Sequence, residues 1–210
     1  MIDLPEATRV NRRLPKEAFY KNLALNTAMK DKFVSDVERI VVENSLTKEN
    51  LNLSEDSEIK EILLLTIILK KQAIDYRIIE VIARKNPHKL VFLTAYEEQR
   101  QLALYSGKLY KTKWMHEDDL KLRANGFNLG QIWDNLIEQI ALREERAESV
   151  ADISINERLA LQERIIKLEK KLEKLEAETF REQQPRKKFD KFTELQKCKK
   201  ELENMKHGKA

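Results

Sequence analysis

The 210-residue chain has few of the residues on which most catalytic and structural signatures depend. It contains one cysteine, four glycines, four prolines and three histidines. The single cysteine, Cys198, excludes an internal disulfide, and one cysteine with three histidines forms no recognisable zinc site. Neither of the glycine-rich phosphate-binding patterns, G-x-G-x-x-G and G-x-x-x-x-G-K-[ST], occurs. The sequence therefore predicts no cofactor and favours association over a recognised catalytic chemistry.

Long apolar runs are also missing. The longest one, Ile62–Leu69, is interrupted by Thr66, whereas a helix that crosses a bilayer needs about 20 apolar residues. The opening residues, MIDLPEATRVNRR, contain no apolar run of the length found in a signal peptide. We therefore expect a soluble cytoplasmic protein that does not enter a membrane.

Charge, in contrast, is abundant and unevenly distributed. Residues 157–210 hold 16 Lys/Arg and 11 Asp/Glu, a net charge of +5, and residues 1–156 hold 24 and 25, a net charge of −1. Interleaving of the two signs in the tail favours a solvated helix over a dedicated phosphate-binding surface. Two short basic clusters are the best candidates for contacts with nucleic-acid phosphates. They are Arg186, Lys187 and Lys188 in the tail, and Arg9, Arg12 and Arg13 near the N-terminus.

The apolar pattern predicts a globular α+β domain followed by a helical, coiled-coil tail. The boundary falls at residues 154–157, where Ser-Ile-Asn-Glu forms a capping box that begins a new helix. Residues 1–153 are predicted to form the domain and residues 154–210 the tail, with a weakly patterned joint at 144–153.

Within the domain, apolar and β-branched runs predict a mainly antiparallel sheet with packed helices. An irregular arm covers residues 3–15, and a helix with Phe19, Tyr20, Leu23 and Leu25 on its apolar side follows. Residues 59–71 favour a central strand over a helix because they are rich in β-branched side chains. The other strands are expected at 37–46 and in a meander at 89–96, 101–106 and 108–114, and the other main helices at 75–85 and 129–143.

The tail carries the clearest pattern of the chain, five apolar residues at alternating spacings of four and three. This pattern is typical of a two-stranded coiled coil, and one helix cannot bury it alone. The five residues, which we name the leucine strip, are Leu161, Ile165, Leu168, Leu172 and Leu175.

Two arrangements would cover the leucine strip. In a parallel homodimer, Arg164 would attract Glu169 of the other chain, and Lys171 would attract Glu176. In the alternative, the chain folds back after the strip, and a second amphipathic helix at about 187–206 covers the strip within one chain. The sequence leaves both open, and we favour a homodimer or another helical protein partner.

One constellation is compatible with catalysis. Asp56, Glu58 and Lys60 lie at the edge of the predicted central strand. A metal-dependent nuclease uses two carboxylates to hold Mg²⁺ and a lysine to position or activate the attacking water. Because charged triplets are common where a strand leaves a loop, the nuclease remains an alternative to a protein without catalytic residues.

Two further clusters favour a structural interpretation. His116 precedes three acidic residues, but adjacent residues seldom face one metal site. Aromatic residues on the predicted meander lie beside lysines, as in surfaces that stack on single-stranded bases. Strand alternation favours cross-strand packing for these aromatics, which are Tyr96, Tyr105, Tyr110 and Trp114.

Two segments resemble a bacterial domain family of unknown function. The first is the opening, with Ile2-Asp3-Leu4-Pro5, Thr8, Val10-Asn11, Leu14-Pro15-Lys16 and Phe19-Tyr20. The second spans 77–114, with Asn86-Pro87-His88, Leu90-Val91-Phe92 and the block that ends in Tyr110–Trp114. The resemblance implies a proline-marked arm, a strand–helix–meander body and a helical C-terminus. It also implies an accessory role beside helicases and DNA methyltransferases in restriction-like antiviral defence loci, and it offers no catalytic residues.

The sequence therefore predicts a non-enzymatic accessory subunit of a bacterial defence or restriction-like system. This subunit would dimerise or dock a helicase, methyltransferase, nuclease or DNA through its tail. A divergent metal-dependent nuclease is one alternative, and a DNA- or RNA-binding module that uses the basic tail is another.

Overall fold

The computed structural model describes residues 2–17, 25–142 and 154–206. The chain divides into two compact units, Met1–Arg143 and Glu144–Ala210, and each is described by itself. Of the four residues predicted to give the helix after the arm its apolar side, Phe19, Tyr20 and Leu23 lie outside the described residues, and so does the whole of the predicted joint at 144–153. The fourth, Leu25, is buried in the core of the first unit. No described helix combines the length and the apolar character that a membrane crossing requires.

The first unit is built on a seven-stranded sheet. Six strands lie in the order β2-β3-β4-β5-β6-β7, and β8 pairs with β6. Among the described pairings of this sheet, β4 with β5 is the one parallel pair, so the predicted α+β fold with a mainly antiparallel sheet is confirmed. The strands are β2 (Arg9–Leu14), β3 (Val37–Thr47), β4 (Glu61–Leu69), β5 (Lys89–Tyr96), β6 (Gln99–Ser106), β7 (Lys108–Lys111) and β8 (Met115–His116), and a separate parallel pair joins β1 (Ile2–Asp3) to β9 (Leu122–Arg123).

Helices complete this unit. Of the α-helices whose full range is described, the first, α1 (Thr27–Asp36), begins where the Asn26 side chain accepts a hydrogen bond from the Met29 amide. The second, α2 (Tyr76–Lys85), connects the parallel strands β4 and β5, and α3 (Leu129–Ala141) follows β9. Two neighbouring strands that run parallel cannot be joined by a short turn, so the chain crosses from the end of β4 to the start of β5 through α2.

The main core lies between one face of the sheet and the helices α1 and α2. Alternate residues of β4 point to it, as expected for a strand whose side chains have a period of two. Because β4 is apolar on both faces, the strand predicted at 59–71 forms, but it is two residues shorter at each end, from Glu61 to Leu69. The large core side chains are Phe33, Val37, Ile40, Leu65, Ile67, Ile78, Ile79, Ile82 and Phe92.

The N-terminal arm is more regular than its sequence predicts. Residues 9–14 form the edge strand β2, which pairs with β3 from Arg9, opposite Asn44, to Leu14, opposite Ile40. The register shifts between Arg9 and Arg12, and Asn11 has a φ of +47°. An edge strand with a bulge has no sustained apolar alternation, and for that reason the pattern did not predict a strand here.

The strands of the meander begin and end at other residues than the sequence predicts. The turn between β5 and β6 has two residues, Glu97 and Glu98, and the φ of Glu97 is +47°. The strand β6 therefore begins at Gln99, two residues before the predicted start. The predicted strand at 108–114 is shorter, because β7 ends at Lys111 and pairing with β6 resumes at Met115.

In the second unit, the described residues 154–206 form two helices. Helix α4 (Ile155–Arg181) begins with the predicted capping box, in which the Ser154 hydroxyl accepts from the Glu157 amide and the Glu157 carboxylate accepts from the Ser154 amide. Helix α5 (Pro185–Lys206) begins at a proline, a residue suited to the first helical position because that amide has no partner within the helix.

Candidate functional site

The leucine strip is covered within the chain. Helices α4 and α5 form an antiparallel hairpin, in which Leu175, Leu195 and Cys198 are buried and Leu168 and Leu172 pack partly buried against them. The Cys198 thiol lies 3.8 Å from the Leu168 carbonyl oxygen. Of the two arrangements that the sequence left open, this is the internal hairpin, while the homodimer stays a prediction.

Ion pairs hold the two helices in this register. Arg164 lies 3.1 Å from Glu201 and Lys171 lies 2.8 Å from Glu194, on one flank of the hairpin. On the opposite flank, Lys199 lies 2.8 Å from Glu176. Arg164, Lys171 and Glu176 are three of the four residues that the parallel homodimer would pair between chains, and here they pair with α5. The hydrogen bond from Lys171 lowers the pKa of the Glu194 carboxyl and raises the pKa of the Lys171 ammonium.

Three large aromatic side chains remain in solvent where the hairpin turns. Phe180, near the end of α4, is 88 % exposed, and Phe189 and Phe192, in the first two turns of α5, are 70 % and 47 % exposed. We name these three residues the aromatic tip.

The members of the aromatic tip lie on one flank of the hairpin. Phe180 follows Glu176 by four residues, so both are on one side of α4. Phe192 precedes Lys199 by seven residues, or two turns, and Phe189 precedes Phe192 by three. Because Glu176 and Lys199 bridge the helices on this flank, the three phenyl rings extend the bridged flank towards the turn.

The predicted basic cluster of the tail adjoins the aromatic tip. Arg186, Lys187 and Lys188 are exposed in the first turn of α5. Arg186 precedes Phe189 by three residues and is therefore its neighbour on the helix surface. The sequence analysis placed Phe189 and Phe192 only within an amphipathic helix at about 187–206, and it did not consider Phe180. The sequence does hint at the exposure of Phe180, because this large apolar residue does not continue the spacing of the leucine strip.

The second basic cluster belongs to the other unit. Arg9, Arg12 and Arg13 are exposed on the edge strand β2, together with Val10. Charged residues and a bulge are the usual features that keep an edge strand from pairing with other chains. This cluster therefore has a structural explanation, and its predicted contact with nucleic acid stays a prediction.

The candidate nuclease residues engage other partners. Asp56 accepts a hydrogen bond from Lys48 at 2.8 Å, and this bond lowers the pKa of the Asp56 carboxyl. Lys60 donates to the carbonyl oxygen of Ser57 at 2.9 Å, and Glu58 is exposed. Within residues 2–17, 25–142 and 154–206, no group of three or more His, Cys, Asp or Glu residues is arranged to hold a metal ion.

His116 sits between two exposed carboxylates. Its Nε2 atom lies 3.1 Å from Glu98 and its Nδ1 atom 3.2 Å from Asp118. The hydrogen bond to Glu98 is the main cause that raises the pKa of the imidazole. The neighbouring Glu117 pairs instead with Arg100. The acidic cluster thus connects the β5–β6 turn to β8 by surface ion pairs.

Comparison with known proteins identifies a family. The model of a family described as a domain of unknown function (DUF4391) matches residues 2–202, and the chain therefore belongs to that family. No curated protein and no solved structure matches the chain. The predicted resemblance to a domain family of unknown function is confirmed at this level.

Proposed function

We propose that this DUF4391 protein is a non-enzymatic accessory subunit that docks a partner protein through the aromatic tip. The observation that carries the proposal is the exposure of Phe180, Phe189 and Phe192 at the turn end of the hairpin, where helical spacing sets them towards the flank bridged by Glu176 and Lys199. Single exposed apolar residues are ordinary, but a cluster of large ones marks an interaction surface. Fully burying each phenylalanine would contribute about 1.5–3 kcal/mol.

The charges around the aromatic tip define the chemistry of the partner. Arg181 follows Phe180, and the basic cluster Arg186, Lys187 and Lys188 precedes Phe189, all of them exposed. A partner that fits this surface offers an apolar pocket with acidic residues at its rim, because aromatic anchors fill pockets and rim charges select the partner. The coiled-coil tail is therefore the binding arm of the protein, with its leucine strip serving to hold the arm rigid.

The proposed partners are the helicase, methyltransferase or nuclease of a bacterial antiviral defence or restriction-like system. The resemblance noted in the sequence supports this part of the proposal. A rigid arm with exposed aromatic residues suits an assembly subunit, since it joins larger proteins without contributing reacting groups. Docking through the tip is compatible with a homodimer, which would use other surfaces of the tail.

The test is direct binding to a purified helicase and a purified methyltransferase of such a defence system. Changing the three residues of the aromatic tip to serine is expected to weaken binding by about 30-fold or more. Phe127→Ser is the matched control, because Phe127 is 69 % exposed but belongs to the first unit. Equal binding by the triple variant and the wild type would reject the proposal, and so would failure of both proteins to bind.

The basic cluster beside the aromatic tip supports a second candidate, binding of single-stranded nucleic acid. Proteins of this type combine cationic groups, which follow the phosphates, with aromatic rings on which bases stack. A fluorescent oligothymidine should then bind with an affinity that falls steeply with salt. Replacing Arg186, Lys187 and Lys188 by glutamine should flatten that salt dependence. An affinity that does not change with salt would exclude this candidate and leave the cluster as a solubility feature.

A further inference from the structure

The connection between β9 and α3 contains the one asparagine–glycine pair of the chain, Asn125-Gly126, and both residues are exposed. Hydrogen bonds fasten the connection on either side of the pair. Before it, the Gln139 side chain accepts from the Arg123 amide at 3.0 Å and donates to the Arg123 carbonyl oxygen at 2.8 Å. After it, the Phe127 amide donates to the Gln131 side chain at 2.9 Å. The pair therefore spans the gap between two points that are both attached to α3.

The fold requires glycine at position 126. The φ of Gly126 is +153°, a conformation that residues with a side chain rarely adopt. A Cβ atom on Gly126 would also lie 2.9 Å from the backbone nitrogen of Ile132, closer than such atoms approach each other. Glycine therefore allows the connection to pass directly against the first turn of α3.

Asn125 is attached to nothing that the structure describes. Within residues 2–17, 25–142 and 154–206, neither the side-chain amide of Asn125 nor the main-chain amide of Gly126 makes a hydrogen bond. Asn128 shows the ordinary situation, since its side chain accepts from the Gln131 amide at 2.9 Å and donates to the Glu55 carboxylate at 2.8 Å. The side chain of Asn125 and the amide that follows it are thus free to react with each other.

We propose that Asn125-Gly126 is a site of spontaneous deamidation, at which the chain acquires an isoaspartyl residue as it ages. The main-chain nitrogen of Gly126 attacks the side-chain carbonyl carbon of Asn125, and the new N–C bond closes a five-membered succinimide ring. The bond from that carbon to the side-chain nitrogen breaks, and the nitrogen leaves as ammonia with the proton of the Gly126 amide. Water then opens the ring at either carbonyl and gives aspartate or isoaspartate. The two reacting groups are adjacent, and glycine has no side chain to obstruct the attacking nitrogen.

The isoaspartyl product changes the main chain itself. It adds the Cβ atom of residue 125 to the main-chain path and leaves a carboxylate as the side group. Because the connection is fastened at Arg123 and Phe127, this additional atom displaces Gly126 from its close approach to Ile132. The aspartyl product has the same charge without the additional length. Deamidation therefore loosens the start of α3 in aged molecules, and this effect is independent of the hairpin and of the proposed docking partner.

The test ages the full chain in mildly alkaline buffer at physiological temperature and digests it with trypsin. The peptide that follows Arg123 contains Asn125, Asn128 and Asn135, so it carries its own controls. We expect a gain of one dalton at Asn125 and a second chromatographic peak for the isoaspartyl isomer. Asn128 and Asn135 should stay unchanged, because each is followed by leucine and each side chain is hydrogen-bonded.

Variants separate the additional length from the additional charge. The thermal midpoint of the aged wild type should fall by about 2–4 °C. Asn125→Gln, whose longer side chain would have to close a larger ring, should keep its mass and its midpoint on ageing. Freshly prepared Asn125→Asp has the charge alone and should melt like the fresh wild type, because the side chain is exposed.

The proposal is overturned if Asn125 gains no mass on ageing, or if it reacts no faster than Asn128 and Asn135. It is also overturned if the aged wild type and aged Asn125→Gln unfold at the same temperature.

Discussion

Lys171 on α4 places its ammonium nitrogen 2.8 Å from the carboxylate of Glu194 on α5. The two residues lie on the same flank of the hairpin as Arg164 and Glu201, whose charged groups are 3.1 Å apart. Because both partners are exposed, such pairs select one register more than they stabilise it. They specify an antiparallel hairpin, since contacts move towards the start of α5 as they move towards the end of α4.

Reversing the charge of Lys171 alone should destabilise the hairpin, and exchanging the charges of both Lys171 and Glu194 should restore it. Lys171→Glu sets a carboxylate against Glu194, and like charges across the helices favour separation. The double variant Lys171→Glu with Glu194→Lys restores the attraction with the charges exchanged. We expect the midpoint of the helical transition, followed by circular dichroism, to fall in the single variant and to recover in the double one. A double variant no better than the single would show that the pair does not set the register.

The leucine strip and the aromatic tip should differ sharply in their effect on stability. Leu175 is 8 % exposed and packs on α5, so Leu175→Ala should destabilise the hairpin by about 2–3 kcal/mol. Phe180 is 88 % exposed, so Phe180→Ala should change stability by less than about 0.5 kcal/mol. Denaturant titrations of the full chain measure both. A large loss at Phe180 would mean that the ring is packed in the folded protein and is not free to dock a partner.

The tail illustrates how far the sequence leads. Spacing alone shows which residues of α4 must be buried against another helix, because the heptad geometry follows from 3.6 residues per turn. It does not show which helix buries them, because α5 and a second copy of α4 both offer leucines and complementary charges. The choice depends on the turn between Arg181 and Pro185, whose path is set by three residues without periodicity.

The first unit shows a related limit. The strands β4, β5 and β6 could be predicted, because burial on both faces and β-branched content are local properties of the chain. The edge strand β2 could not, since the irregular register between Arg9 and Arg12 breaks the apolar alternation by which a strand is predicted.

The predicted homodimer can be tested separately from the hairpin. Sedimentation equilibrium of the wild-type chain gives its mass, and Leu168→Asp with Leu172→Asp adds two charges to the leucine strip. If the tail joins two chains, the wild type should sediment as a dimer and the double variant as a monomer. If the strip only holds the hairpin, the mass should stay the same and the helical signal should fall. A variant that remains dimeric would exclude the tail as the dimer interface.

Asp36 should make the stability of the first unit fall at low pH. Its carboxylate is buried and lies 2.8 Å from the Lys71 ammonium and 2.7 Å from the Ser35 hydroxyl. Burial by itself raises the pKa of Asp36, but the hydrogen bonds from Lys71 and Ser35 outweigh burial and lower the pKa below the value of 3.8 for a free side chain.

A lowered pKa in the folded state fixes the sign of this dependence. The unfolded chain binds the proton more readily, so the contribution of Asp36 is fully present above about pH 5 and is lost as the pH falls through the folded pKa. Asp36→Asn should destabilise the unit by about 1–3 kcal/mol at pH 7, because it removes the charge that Lys71 and Ser35 bond. Urea titrations at pH 7 and pH 3 should show a smaller difference between variant and wild type at the lower pH. An equal difference at both values would mean that the carboxylate keeps its charge throughout this range or contributes nothing through it.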